Sequence, residues 1–306
     1  PVFYLIENFV DFRQLKEEYA EFRNYPFNLE RGIEMKGKKL ILCFIGAVLL
    51  MTGCGGEASL PAYSNLADEQ VREQFETELI QAGAVETDAQ KSMSIVKEYN
   101  DTIQNTSLVK EGYAPFDMTM PEYDIDAIQD LWMKKNPDFI GYNCRITAFG
   151  LMKDLITVQD TGGRNTEYLF LDEAALDTGE LFTAEEREKF ETVFSEIKTD
   201  ASTDTKKQIG VQREYWKKAG VTFDGESKLS LITVYLHSHI DENENSLIAG
   251  HTGVLLDIGN EILFFEKISF ELPYQLIRFE DRDQLKEYLM RCYDVDTTGE
   301  CASPFI

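Results

Sequence analysis

The apolar segment that follows Cys144 constrains the fold more than any other stretch of this chain. Residues 144–156 are apolar around most of a helical circumference, so the helix they predict must be buried. The polar positions left on it, at Arg145, Lys153 and Asp154, are expected to face water. The buried stripe comprises Ala148, Phe149, Met152, Leu155 and Ile156, widened by Ile146 and Leu151.

The two residues at the start of this helix have chemical significance. Asn143 is a favourable N-cap residue, which puts Cys144 at the first helical position. Unpaired backbone amides and the helix dipole favour an anion there, so a thiolate would be stabilised. Cys144 is therefore a candidate nucleophile, although a lone cysteine is more often a buried structural residue.

The pair Gly259-Asn260 lies between two β-rich runs and predicts a hairpin with a two-residue turn. The resulting cross-strand pairs are Asp257 with Ile262, Leu255 with Phe264, Gly253 with Glu266, and His251 with Ile268. Because side chains alternate along a strand, His251 and Glu266 share a face as diagonal neighbours. Gly253, opposite Glu266, leaves room for their contact. A register shift of one residue would separate them.

Charge excludes one broad class of function. The 306 residues are 43% hydrophobic and carry a net charge of -25, with the excess acid confined to residues 54–306. This composition indicates a globular protein, and an acidic body repels phosphate backbones, so we expect no nucleic-acid partner.

A basic segment, residues 35–39, precedes an apolar run that is too short to span a bilayer as a mature helix. The run ends in small residues before Cys54 and resembles the lipobox of bacterial lipoproteins, which implies lipidation of Cys54 and attachment to the extracellular face of the cell membrane. An ordinary signal peptide and a short core helix are the alternatives.

The chain divides into four predicted parts. Because Met35 opens a complete signal peptide, residues 1–34 are expected to be an untranslated upstream segment. Residues 35–53 are the lipoprotein signal peptide, residues 54–62 a Gly/Ser/Pro tether, and residues 63–306 a single domain.

The order of elements in this domain predicts an α+β fold, with N-terminal helices followed by a C-terminal antiparallel sheet. Residues 64–65 are expected to cap the first helix, residues 168–172 to form a short strand or loop, and residues 241–246 an exposed acidic loop. Helices are predicted over residues 68–80, 87–104, 123–135, 144–156, 184–197, 205–219 and 281–293, and strands over residues 229–240, 247–257, 261–270 and 274–279.

The remaining cysteines and histidines offer weaker sites. Cys292 lies on the apolar stripe of the last helix, as a core residue or a disulfide partner of Cys301. His237 and His239 alternate on one strand and could chelate a metal, but no further clustered ligand is evident. We therefore expect neither a metal nor a cofactor, and keep a metal-binding protein as an alternative.

The order of Cys144 at a helix start, His251 at a strand start and Glu266 on the next strand resembles papain-like cysteine hydrolases, in particular the NlpC-type and amidase branch. The resemblance implies that Cys144 attacks an acyl carbon, His251 transfers the proton and Glu266 orients the imidazole. Oxyanion donors would be the Cys144 amide with Asn143, Tyr142 or Asn136. Arg145 departs from this branch, which has a small residue there.

Over a longer span, from about residue 63 to residue 306, the chain resembles an uncharacterised family of bacterial surface lipoproteins, domain of unknown function 4300. The matching segments are residues 63–66, 137–145, 250–256, 265–270 and 273–275. Together these features predict a lipid-anchored extracellular cysteine hydrolase that cleaves peptide or amide bonds near the cell envelope, with cell-wall peptides as candidate substrates. The main alternative is a surface lipoprotein that binds a peptide or protein partner without catalysis.

Overall fold

The computed structural model describes residues 60–240 and 243–306. The expected upstream segment, the signal peptide, Cys54 and the tether up to residue 59 lie outside the described residues. Within the described part, no helix has the length and apolar character needed to cross a membrane. The first strand begins at Ala62, the last residue of the expected tether.

Eight α-helices are present in the described residues, seven of them before the long strands. They are α1 (Glu69–Gln81), α2 (Glu86–Thr102), α3 (Ile125–Lys135), α4 (Cys144–Met152), α5 (Phe170–Gly179), α6 (Ala184–Val193), α7 (Thr205–Ala219) and α8 (Arg282–Tyr293).

The strands in the described residues are β1 (Ala62–Ser64), β2 (Ala114–Pro115), β3 (Ile156–Thr157), β4 (Ile197–Lys198), β5 (Thr222–Phe223), β6 (Leu229–His239), β7 (Asn245–Asp257), β8 (Ile262–Lys267) and β9 (Tyr274–Phe279). The main sheet is antiparallel and its strands run in the order β2-β1-β9-β8-β7-β4, with β6 also paired to β7. Two short strands, β3 and β5, form a separate ribbon. The fold is therefore α+β, as the order of elements predicts.

The centre of the sheet is buried on both faces. Val254 and Phe265 belong to a cluster that includes Phe149 of α4, whereas Leu255 and Phe264 belong to a cluster that includes residues of α8. Since side chains alternate along a strand, burial on both faces accounts for the unbroken apolar run at residues 262–265, the first part of β8.

Several predicted boundaries are wrong, for identifiable reasons. Residues 168–172 begin a helix, because a short apolar run does not by itself distinguish helix from strand. The helix that starts at Cys144 ends at Met152, and residues 153–155 continue as a tighter 3₁₀ turn. Residues 197–198 form β4 instead of continuing α6, and residues 245–246, expected in the acidic loop, belong to β7.

The cap of the first helix also differs from the prediction of residues 64–65. Asp68 is the N-cap, and its carboxylate accepts a hydrogen bond from the Gln70 amide at 2.9 Å. Ser64 lies in β1, and Asn65 donates its side-chain amide to the carbonyl of Tyr274 at 2.9 Å. Asn65 therefore fastens the loop before α1 to the sheet.

Candidate functional site

The hairpin of β7 and β8 has the predicted register. Gly253 pairs with Glu266 and Leu255 with Phe264, and the turn closes through a hydrogen bond from the Ile258 amide to the Glu261 carbonyl at 3.3 Å. Gly259 has φ +96°, a conformation that glycine adopts without strain. This register brings His251 and Glu266 together.

His251 and Glu266 form a direct contact inside the protein. The His251 Nε2 atom lies 2.5 Å from Glu266 Oε2, and both side chains are 1% exposed. The other carboxylate oxygen, Oε1, accepts a hydrogen bond from the Tyr288 hydroxyl at 2.7 Å. The ring of Tyr293 stacks on the imidazole with its centroid 4.9 Å away and an interplanar angle of 15°. The imidazole is thus fixed at one edge and on one face.

The space beside Gly253 has a different occupant from the one expected. A Cβ atom at this position would approach the Phe264 ring to 2.4 Å and the Phe265 carbonyl oxygen to 2.8 Å. The missing side chain makes room for the Phe264 ring rather than for the contact between His251 and Glu266.

Cys144 lies at the first position of α4, as the sequence predicted. The Asn143 side-chain oxygen accepts a hydrogen bond from the Ile146 amide at 3.0 Å and caps the helix. The backbone amides of Cys144 and Arg145 precede the first intrahelical hydrogen bond, so both remain available to an anion. The Cys144 side chain is buried, at 6% exposed.

The thiol of Cys144 and the ring of His251 interact, and each shifts the pKa of the other. Burial alone would raise the pKa of Cys144, but the charge and hydrogen bond of His251, together with the Arg145 charge, lower it. Burial would lower the pKa of His251, but the Cys144 thiolate and Glu266 raise it to about 10. These opposite shifts favour a thiolate next to an imidazolium. Because the Nε2 atom of His251 contacts Glu266, the Nδ1 atom is the ring nitrogen that can interact with the Cys144 thiol.

The other two cysteines in the described part have raised pKa values. Cys144, Cys292 and Cys301 are all free thiols, so the considered disulfide between Cys292 and Cys301 is absent. Cys292 is half-buried rather than a core residue, and burial with the nearby Glu266 charge raises its pKa to about 12. Burial also raises the pKa of Cys301. Of the three, only Cys144 has a lowered pKa.

Arg145 does not face water, contrary to the prediction. Its guanidinium forms a two-pronged ion pair with Asp172 of α5, Nε to Oδ1 at 2.9 Å and Nη2 to Oδ2 at 2.6 Å. Asp172 is fully buried. Sequence patterns carry no signal for Asp172, because residues 168–172 are predicted as a short strand or loop, and none for the contact of Tyr288 with Glu266.

The three side chains considered as oxyanion donors differ in their availability. The Asn143 amide nitrogen donates to Asp172 Oδ1 at 2.8 Å, and the Tyr142 hydroxyl donates to the Gly179 carbonyl at 3.3 Å. Asn136 follows the last residue of α3, with its backbone amide bonded to the Trp132 carbonyl at 2.8 Å. Asn143 and Tyr142 therefore already have partners.

His237 and His239, the basis of the metal-binding alternative, both have protein partners. His237 Nδ1 accepts a hydrogen bond from the Ala302 amide at 3.0 Å, and His239 Nδ1 lies 2.6 Å from the Asn245 side-chain oxygen. In residues 60–240 and 243–306, no group of three or more histidine, cysteine or acidic side chains is arranged to hold a metal ion.

Fold and site together define an α+β protein in which a cysteine at the first position of a helix, a strand histidine and a glutamate belong to one buried cluster. The chain belongs to the family described as Domain of unknown function (DUF4300), whose model matches residues 62–306. No curated protein and no solved structure matches the chain.

Proposed function

We propose that this protein is a cysteine hydrolase with a papain-like arrangement of catalytic residues. One observation carries the proposal: the Cys144 thiol interacts with the ring of His251, whose Nε2 atom lies 2.5 Å from Glu266 Oε2. A nucleophile, a base and a group that orients the base are the parts that acyl transfer requires.

In the proposed reaction, the Cys144 thiolate attacks the carbonyl carbon of a peptide or amide bond and forms a tetrahedral intermediate. The intermediate collapses to a thioester as His251 gives its proton to the leaving amine. Water then attacks the thioester while His251 takes one of its protons, which releases the acid and restores the thiolate. Glu266 keeps the imidazole in the orientation that both steps need.

The oxyanion of the intermediate would be held mainly by backbone amides. The amides of Cys144 and Arg145 point out of the helix start, where the dipole favours negative charge. The side chains of Asn143 and Tyr142 already have partners in the resting protein, so either would have to change partner to contribute.

The proposal places the enzyme outside the cell, held at the membrane by a lipid on Cys54. Its support is the basic segment, apolar run and lipobox-like residues ahead of Cys54. A site displayed at that location would act on peptide or amide bonds in or near the cell envelope.

The burial of the site favours a second candidate, a surface protein that binds a peptide or protein partner without catalysis. Cys144 is 6% exposed and His251 is 1% exposed, so a substrate can reach the thiol only after neighbouring side chains move. A receptor that uses these residues for folding alone needs no such movement.

Cysteine alkylation separates the two candidates. Purified protein is treated with iodoacetamide near neutral pH, and the modified residues are identified by peptide mass spectrometry. The hydrolase proposal predicts selective modification of Cys144 that is lost in His251→Ala, with Cys292 in the same chain as an internal reference. Failure of Cys144 to react in the folded protein would favour the binding protein. Zinc analysis before and after chelation tests the metal-binding alternative built on His237 and His239.

A further inference from the structure

The ion pair between Arg145 and Asp172 connects the helix of the nucleophile to the strand of the histidine. Besides its two contacts with Asp172, the guanidinium donates from Nη1 to the carbonyl of Ala249 at 2.9 Å. Ala249 lies in β7, two residues before His251. The same side chain therefore contacts both elements that must meet at the site.

The attachment point on β7 is a local irregularity. Val234 pairs with His251 but the next residue of β6, Tyr235, pairs with Ala249, so Gly250 is an extra, bulged residue. Bulges redirect the side chains beside them and are common next to functional sites. A hydrogen bond to the Ala249 carbonyl fixes the strand where the direction of the His251 side chain is set.

Asp172 also contacts Asn143, the N-cap residue of α4. Its Oδ1 atom accepts a hydrogen bond from the Asn143 side-chain nitrogen at 2.8 Å in addition to the one from Arg145 Nε. Because the Asn143 oxygen caps α4, this contact fixes the amide in the orientation that starts the helix at Cys144. One carboxylate thus holds both the cap and the guanidinium.

A buried ion pair contributes little net stability to a folded protein. Removing two charges from water costs several kcal/mol, and apolar replacements of similar size are often neutral or stabilising. Asp172 is fully buried and the Arg145 side chain is 17% exposed.

We propose that Arg145 and Asp172 are positioning residues that set the distance and orientation between Cys144 and His251. This inference rests on the proposed function. The guanidinium donates to Asp172 and to the Ala249 carbonyl, so its proposed effect on the reaction is exerted through the Asn143 cap and the bulge of β7. The positive charge near the thiol adds to the stabilisation of the thiolate.

The test compares the pH profile of Cys144 alkylation in the wild type and in the double variant R145M/D172L. Replacing both charged partners leaves no buried charge unpaired, so the double variant is expected to fold. We expect its alkylation midpoint to move to higher pH and its rate near neutral pH to fall about tenfold or more, since the thiolate fraction falls tenfold per unit of pKa. Arg145→Lys keeps the positive charge but not the two-pronged contact with Asp172. We expect this variant to retain only part of the wild-type alkylation rate of Cys144.

The double variant R278M/E261L is the matched control, because it likewise replaces both partners of a buried ion pair. Arg278 forms a similar two-pronged pair with Glu261, at 3.0 and 2.8 Å, beside the hairpin turn. Replacing this pair is expected to leave the alkylation profile of Cys144 unchanged. A wild-type alkylation profile in R145M/D172L, or a wild-type alkylation rate in Arg145→Lys, would overturn the positioning role. Either result would leave the hydrolase proposal intact. An unreactive Cys144 in the wild type would overturn the hydrolase proposal itself.

Discussion

His251 Nε2 and Glu266 Oε2 lie 2.5 Å apart across the hairpin of β7 and β8, although the two residues are not directly paired in the ladder. They are diagonal neighbours on one face, with Glu266 opposite Gly253. Both side chains are buried, so the contact is shielded from water and electrostatically strong. The predictions below test what this contact does for Cys144.

Glu266→Gln is expected to slow the alkylation of Cys144 about a hundredfold or more near neutral pH. A neutral amide no longer favours the imidazolium, so the pKa of His251 falls and the thiolate loses its counter-ion. Alkylation kinetics with mass-spectrometric detection provide the measurement. Glu261→Gln removes a buried carboxylate next to the same strand and is expected to leave the rate unchanged. Equal rates in the wild type and Glu266→Gln would show that Glu266 does not support the thiolate.

Tyr288→Phe is expected to lower the free energy of unfolding by about 1–3 kcal/mol, because it removes a hydrogen bond to a buried carboxylate. The hydroxyl lies 2.7 Å from Glu266 Oε1, and the variant keeps the ring that packs on Phe116 with centroids 5.2 Å apart. Urea denaturation gives the energy difference. Tyr293→Phe, which keeps the ring stacked on His251, is the control and is expected to change stability by less than about 0.5 kcal/mol.

Gly253→Ala is expected to destabilise the protein by about 1–3 kcal/mol through overpacking. The added methyl group would lie 2.4 Å from the Phe264 ring, which is held in the core, and 2.8 Å from a backbone carbonyl. Gly210→Ala provides the contrast, since nothing lies within 4 Å of its Cβ position on an exposed part of α7. It is expected to stabilise the helix by about 0.5–1 kcal/mol. A Gly253→Ala protein as stable as the wild type would contradict the packing described for β7 and β8.

The selectivity of alkylation for Cys144 over Cys292 is expected to decline as the pH rises. The pKa of Cys144 is lowered, so its thiolate forms at a lower pH than that of an ordinary cysteine, whereas the pKa of Cys292 is raised to about 12 and its thiolate appears only under strongly alkaline conditions. The ratio of the two modified peptides, followed across pH, is the measurement. A ratio that is constant or increases with pH would contradict the assigned directions of the two shifts.

Local patterns were sufficient to predict the register and the helix start. The Gly259-Asn260 turn fixes which residues pair, and the alternation of side chains then places His251 and Glu266 on one face. Asn143 has the short polar side chain that caps a helix, so the position of Cys144 followed from it. Both inferences depend on neighbours in the sequence, which is why they hold in the fold.

Features that depend on distant segments could not be predicted in the same way. Arg145 was expected to face water because it interrupts an apolar stripe, but its surroundings are set by Asp172, which belongs to a helix that was not recognised. The roles of Tyr288 and Tyr293 depend on the packing of α8 against the hairpin, and the near-complete burial of the thiol depends on all these elements together.

The ionisation of Cys144 tests the central claim most directly. Proton counting cannot distinguish a thiolate beside an imidazolium from a thiol beside a neutral imidazole, because each pair holds one proton, but the thiolate absorbs in the ultraviolet and the thiol does not. A pH titration of the absorbance difference between the wild type and Cys144→Ser therefore reports Cys144 alone. We predict a midpoint well below the value of about 8.5 for a free cysteine. A midpoint at or above that value would contradict the proposed nucleophile.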